Sequence, residues 1–122
     1  MKNSQSKEDY LESILLLSKE LEDVHQIEVA RRMGVSQPAV QKAIRLLRQD
    51  GYITADGLHI CLTEEGLRYA EEVYEKHCTI KRFLELHGVN KEDADADACK
   101  LEHALSPASY DMMKKFVDEH GG

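Results

Sequence analysis

A chain of 122 residues with a formal net charge of −7 is long enough for one domain, or for two small ones sharing a core, and should bury somewhat under about 70% of its unfolded surface. It has no apolar run of spanning length and no basic-then-apolar leader, so the expectation is a soluble, cytoplasmic protein with no membrane partner. Its three cysteines, Cys61, Cys78 and Cys99, are odd in number and form no CxxC pair, which argues against a disulfide framework and for reduced thiols.

Taken whole, the negative charge argues against a nucleic-acid binder, but its distribution reverses that reading. Between Glu28 and Asp50 there is no acidic residue, whereas Arg31, Arg32, Lys42, Arg45 and Arg48 all fall inside. A basic stripe on an acidic body is an electrostatic footprint that the overall charge hides. The acid elsewhere is spread over helices, with a cluster at Glu92, Asp93, Asp95 and Asp97.

In chain order, residues 1–6 are polar and expected to fray. From Lys7 to about Leu21, Tyr10, Leu11, Ile14, Leu15, Leu17 and Leu21 recur at helical spacing. Asp9 and Glu12 stand three apart near the start of this helix, where carboxylates also simply complement the helix dipole. Residues 23–25 read as a short turn. A second helix covers Gln26 to Met33, with Ile27, Val29, Ala30 and Met33 inward. Gly34 breaks it, and Val35 is expected as a buried turn residue. Ser36 is a good N-cap, with Pro38 tolerated in the first turn of a third helix that runs to about Gln49. Its inner face is Val40, Ala43, Ile44 and Leu47, and it turns Gln37, Gln41, Lys42, Arg45 and Arg48 outward.

Helix, glycine turn, helix is the helix-turn-helix pattern, although a plain helical hairpin with a solvated basic face reads the same way. The segment after the third helix decides for DNA binding. Tyr52–Thr54 and Leu58–Leu62 read as two short strands joined by Ala55-Asp56-Gly57, and a hairpin directly after a recognition helix is a wing. Thr63 then caps a long helix from Glu64 to about His87, with His77 on or beside its apolar stripe. Gly88 stops it, and Asn90 caps the next helix with Asp93 at N3.

Residues 98–107 come next. Read as helix, they project Cys99, Glu102 and His103 from one face, because positions three and four apart are neighbours. A thiolate, a carboxylate and an imidazole on one stripe can hold a transition metal. The same residues also have a plain structural reading, a packed thiol beside two solvated side chains. Ser106-Pro107 opens a last helix with Tyr110, Met113, Phe116 and Val117 on one apolar face. In so small a domain the two helices beyond the wing have little left to cover, so they are expected to build a dimer interface. The fold class that emerges is mostly α, a winged helix-turn-helix DNA-binding domain (1–63) followed by an all-helical dimerisation domain (64–122).

Four stretches, Glu8–Glu12, Ala30–Val40, Leu62–Gly66 and Leu101–Ser106, resemble in this order the diphtheria toxin repressor family, and within it the manganese transport regulator branch. The resemblance covers nearly the whole chain. It implies a homodimeric, metal-activated transcriptional repressor of metal-ion uptake and homeostasis genes, without the SH3-like third domain of iron-sensing members. It assigns metal ligation to Asp9 and Glu12 on the first helix, His77 on the long helix, and Glu102 and His103 beyond it, with Cys99 at a position where manganese sensors usually carry Glu and iron-sensing relatives carry Cys. Lys81 is a second departure, one turn after His77 where the family usually has an acidic residue. An ammonium there disfavours a second cation.

Thiolate and imidazole donors favour the softer divalent ions, so the expected metal is iron or manganese, with iron preferred and cobalt, nickel and zinc as alternatives. A cation joining the first helix to the dimer domain would set the two recognition helices to reach successive major grooves about 34 Å apart on a palindromic operator. Moving such a population from mostly slack to mostly set takes roughly 5.5 kcal/mol of differential binding. On DNA, Gln37, Gln41 and Lys42 are expected to read base edges. Arg31, Arg32, Arg45 and Arg48 are expected to contact phosphates or to sit in surface pairs, and Ser36 and Pro38 belong to the same DNA-binding set.

Two other classes bear on the same residues. A carboxylate-bridged metal enzyme needs paired Glu-x-x-His motifs, and the chain has only Glu22 to His25, so an enzyme is not expected. A metal-independent or thiol-redox winged-helix regulator would instead use Cys61 in the wing or Cys78 beside His77.

Overall fold

The computed structural model describes residues 4–57 and 59–121. Its elements run in the order α1 (Ser4–Glu20), β1 (Val24–His25), α2 (Gln26–Met33), α3 (Gln37–Gln49), β2 (Ile53–Asp56), β3 (His59–Leu62), α4 (Glu64–Leu86), α5 (Lys91–Leu101) and α6 (Pro107–His120). The chain separates into two compact units between Glu71 and Glu72, within α4. Among the described residues no helix is long and apolar enough to cross a membrane.

The first unit is built on three helical stripes. Leu11, Ile14 and Leu15 of α1, Val29 and Ala30 of α2, and Val40, Ala43, Ile44 and Leu47 of α3 are all buried, together with Ile53 and Ile60 from the strands. Apolar positions at three- and four-residue spacing give each helix one face to bury, and each large side chain removed from water contributes about 1.5–3 kcal/mol. Gly34 takes a left-handed conformation at φ 68° that closes α2. Ser36 then caps α3, its hydroxyl accepting the Ala39 N–H at 3.2 Å.

The wing is a three-stranded antiparallel sheet in the order β1-β3-β2. Val24 pairs with Ile60 and His25 with His59, so residues 23–25 are not merely a turn. A two-residue strand has no alternation to read, and only the burial of Val24 distinguishes it. On the other side β2 starts one residue later and runs two residues further than expected, pairing Ala55 with Ile60 and Asp56 with His59. The turn after β2 therefore begins at Gly57, at φ 64°. The expectation for Leu58 lies outside the described residues, as does that for residues 1–3, whereas residues 4–6, expected to fray, belong to α1.

Three apolar side chains expected to face inward are open, and so is Leu67 near the start of α4. Leu21, Ile27, Val35 and Leu67 are 37–42% exposed. Leu21 falls just past the end of α1. The Val35 N–H bonds back to the Ala30 carbonyl, which carries its side chain around the left-handed turn and outward. Leu67 lines an open groove of about 450 Å³ with Leu15, Val24, Ile60 and Leu62.

Thr63 joins the wing to α4. Its hydroxyl donates to the Gly51 carbonyl at 2.7 Å and accepts the Gly66 N–H at 3.1 Å, while its own N–H bonds to the Tyr52 carbonyl. A Cβ at Gly66 would run into that same Tyr52 carbonyl oxygen, so the first turn of α4 can lie this close only with glycine there.

The second unit comprises the rest of α4 with α5 and α6. Gly88, at φ 93°, ends α4. Asn90 caps α5, its side chain accepting the Asp93 N–H and donating to the Asp93 carboxylate, both at 2.8 Å. Ser106 and Pro107 open α6 as expected, with the Ser109 N–H donated to the Ser106 hydroxyl. α6 meets α4 through an edge-on Phe83–Phe116 pair, a Tyr110 to Thr79 hydrogen bond and a Lys114–Glu75 ion pair. No residue of α6 is buried. The buried set of this unit is Val73, Ile80, Ala94 and Ala98, with the polar His77, Thr79 and Glu102.

Candidate metal centre and nucleic-acid interface

In the first unit the buried stripe of α3 turns its opposite face to solvent. Gln37, Gln41, Lys42, Arg45 and Arg48 are all exposed, as are Ser36 and Pro38 at the start of the helix and Arg31 and Arg32 at the end of α2. Arg32 lies 3.8 Å from the Glu20 carboxylate. An exposed pair of this kind is worth no more than about 1 kcal/mol and is easily exchanged for a phosphate. The surface offers amide and cationic donors from a rigid helix, the chemistry that reads base edges and neutralises phosphates.

Asp9 and Glu12 stand half-buried on α1, three residues apart and so on one side of it.

In the second unit His77 projects from α4, and α5 carries Asp95 and Cys99 four residues apart on one face. The expected single helical stripe through Cys99, Glu102 and His103 is not what forms. α5 ends at Leu101, Glu102 is its C-cap, and His103 lies in the turn beyond. The Ala104 and Leu105 N–H groups both bond to the Leu101 carbonyl, closing the turn ahead of the Ser106-Pro107 start of α6. The break matters chemically. Consecutive residues of a helix point about 100° apart, whereas here the adjacent Glu102 and His103 converge.

The Glu102 carboxylate is 2% exposed and lies between two imidazoles. Its Oε2 is 3.1 Å from His77 Nδ1 and its Oε1 is 3.3 Å from His103 Nε2. The other ring nitrogen of His77, Nε2, is 2.9 Å from Asp95 Oδ1. Cys99 Sγ, on an exposed residue, is 3.8 Å from His77 Nδ1. Lys81 Nζ stands 3.5 Å from the same Asp95 Oδ1. The hydrogen bond from His77, aided by the nearby positive charge of Lys81, holds the Asp95 carboxyl below its ordinary range against the desolvation that opposes it.

Four of the six expected metal ligands, His77, Cys99, Glu102 and His103, are thus brought together in this unit. Cys61, Cys78 and Cys99 are free thiols. Imidazole, thiol and carboxyl donors gathered around a buried side chain are a donor set that fits a divalent transition metal. In the sequence Asp95 reads only as part of an acidic cluster. Its position four residues before Cys99 on a helix is the signal that places it at the site.

The comparisons with known proteins agree in two halves. Residues 2–57 match the family model described as iron dependent repressor, N-terminal DNA binding domain, and residues 63–120 match the one described as iron dependent repressor, metal binding and dimerisation domain. The chain is 39% identical over 119 residues, covering 95% of both sequences, to an uncharacterised HTH-type transcriptional regulator of Methanocaldococcus jannaschii. It is 36% identical to the transcriptional regulator MntR of Escherichia coli, covering 93% of this chain and 74% of that one. Among solved structures it is similar to the metal-dependent transcriptional regulator MtsR, at 32% identity and a TM-score of 0.84 over 92% of this chain. It spans 53% of the length of that protein.

Proposed function

Since the chain belongs to the iron-dependent repressor family of metal-dependent transcriptional regulators, we propose that it is a metal-activated repressor of metal-ion uptake and homeostasis genes, acting in the cytoplasm as a homodimer on a palindromic operator. The observation that carries the reading is the Glu102 carboxylate, buried and set between the His77 and His103 imidazoles with the Cys99 thiol beside them. Residues 1–63 read DNA, and residues 64–122 take up the metal and dimerise.

His77, Cys99, Glu102 and His103 hold the ion, and the family resemblance adds Asp9 and Glu12. A divalent cation bound there would supply positive charge to the buried Glu102 side chain beyond what the His77 and His103 imidazoles offer. Glu102 contributes that carboxylate from the turn after α5, and His103 comes directly after it because the helix has ended. Cys99 brings a soft donor, which moves preference from manganese towards iron and the later divalent ions, cobalt, nickel and zinc. In the first unit Gln37, Gln41 and Lys42 read base edges. Ser36, Pro38, Arg31, Arg32 and Arg45 set the register on the phosphates.

The test is selection of duplexes from a random pool, with chelator and then with manganese, ferrous iron, cobalt and zinc in turn. Enrichment of an inverted repeat only when metal is present supports the reading. Enrichment that is the same with chelator contradicts it. Binding with chelator that is lost on oxidation would instead point to the thiol switch, for which Cys61, 3.8 Å from His59 Nε2 in the wing, is the group.

A further inference from the structure

We propose that Asp95 is a positioning residue and not a metal ligand. It holds the Nε2 proton of His77, so that Nδ1 is the nitrogen His77 presents to the metal, and Lys81 keeps Asp95 in that role. The inference rests on the metal-site reading above and specifies how that site is assembled.

His77 has a different partner on each side of its ring. Nε2 is 2.9 Å from Asp95 Oδ1, an ordinary length for an N–H donating to a carboxylate. Nδ1 is 3.1 Å from Glu102 Oε2 and 3.8 Å from Cys99 Sγ. A neutral imidazole has one donor nitrogen and one acceptor, and an ionised carboxylate only accepts. With the proton on Nε2, the Nδ1 lone pair and the Glu102 oxygen face one another at 3.1 Å, a distance that two acceptors tolerate only with a proton or a metal cation between them. Metal–nitrogen, metal–oxygen and metal–sulfur bonds of about 2.0–2.3 Å put neighbouring ligand atoms about 3–3.6 Å apart. The Nδ1 side of His77 therefore has nearly the spacing of a coordination shell, and it is the buried side, Glu102 being 2% exposed and Asp95 53%.

A second grouping has a competing claim. His77, Asp95 and Cys99 each offer a ligand atom within 4.8 Å of the others, so a cation could be placed there as well. Lys81 decides against it. Its Nζ lies 3.5 Å from the very oxygen that meets His77 Nε2, so Asp95 Oδ1 already serves two nitrogen donors, and an incoming cation would meet an ammonium. A carboxylate that fixes the tautomer and ring orientation of a ligating histidine is a recurrent support of metal sites, and its loss typically weakens metal binding about 10- to 100-fold.

The experiment uses the full chain labelled with ¹⁵N in histidine and loaded with zinc. Long-range proton–nitrogen spectra read which His77 nitrogen carries the proton, and equilibrium dialysis reads zinc affinity. The expected result is a protonated Nε2 with a metal-shifted Nδ1. In addition, Asp95→Ala should weaken zinc binding about 10- to 100-fold, and Asp95→Asn, whose amide oxygen still accepts the Nε2 proton, should recover most of that loss. Zinc on Nε2, or equal losses in Asp95→Asn and Asp95→Ala, would make Asp95 a ligand and overturn this inference alone. A wild-type chain that takes up no zinc would overturn the metal-site reading and this inference with it.

Discussion

In the first unit the wholly buried side chains include Leu11, Ile14, Val29, Val40, Leu47 and Ile60. In the second the buried set is Val73, Ile80, Ala94 and Ala98 around His77, Thr79 and Glu102, and no residue of α6 is fully buried. The core of the first unit is made of large apolar groups, whose removal from water is a strong driving force. The second is built around the polar cluster of His77, Thr79 and Glu102, and the Tyr110, Met113, Phe116 and Val117 face of α6 is only half-buried. The family to which the chain belongs assigns its second half to metal binding and dimerisation.

The largest effects should appear where that contrast is greatest. Leu47→Ala deletes a fully buried side chain at the centre of the first unit and should cost about 2–5 kcal/mol in denaturant unfolding. A loss below about 1 kcal/mol would mean that Leu47 is not at the packed centre of the first unit. Next comes the metal. Adding cobalt or zinc at about 100 times its dissociation constant should raise the stability of the native chain by about 2.7 kcal/mol. Chelator should remove the gain. So should lowering the pH, because imidazole and thiol donors bind only when deprotonated and protons then compete with the ion. The sign is fixed by that competition, and a gain that grew on acidification would rule out His and Cys donors.

A smaller effect belongs to the wing. Gly66→Ala forces a methyl group against the Tyr52 carbonyl and should destabilise the first unit by about 1–3 kcal/mol, leaving metal uptake unchanged. The smallest is electrostatic. Arg45→Ala should leave folding untouched and reduce by about 1 the slope of log binding constant against log salt. A change in base preference without a change in slope would make Arg45 a base reader.

How far the sequence foretold this depends on what each feature needs to be visible. Ser36, Asn90 and Ser106 announce three helix starts, because a cap is a local hydrogen bond between a side chain and an amide three residues on. The buried stripe of α3 was legible for the same reason, being periodic within one element. β1 was not, since two residues hold no period and Val24 becomes a strand only by finding Ile60 far along the chain. At the candidate site, His77, Cys99, Glu102 and His103 were readable as residue types. The path of the chain around them was not, because the end of α5 at Leu101 depends on how the turn into α6 is closed. Asp95 stayed hidden among acidic neighbours, since its role rests on a 2.9 Å approach to a side chain on another helix.

The central claim is that metal taken up around Glu102 governs DNA reading by α3. The measurement that meets it most directly is anisotropy of a labelled operator duplex, for wild type and Glu102→Gln, with chelator and with saturating cobalt at fixed pH and salt. The account predicts that cobalt tightens wild-type binding by roughly 5- to 150-fold, the usual range of coupling between two sites. It also predicts that Glu102→Gln binds as weakly with cobalt as without it. A variant that responds to cobalt as the wild type does would contradict the account.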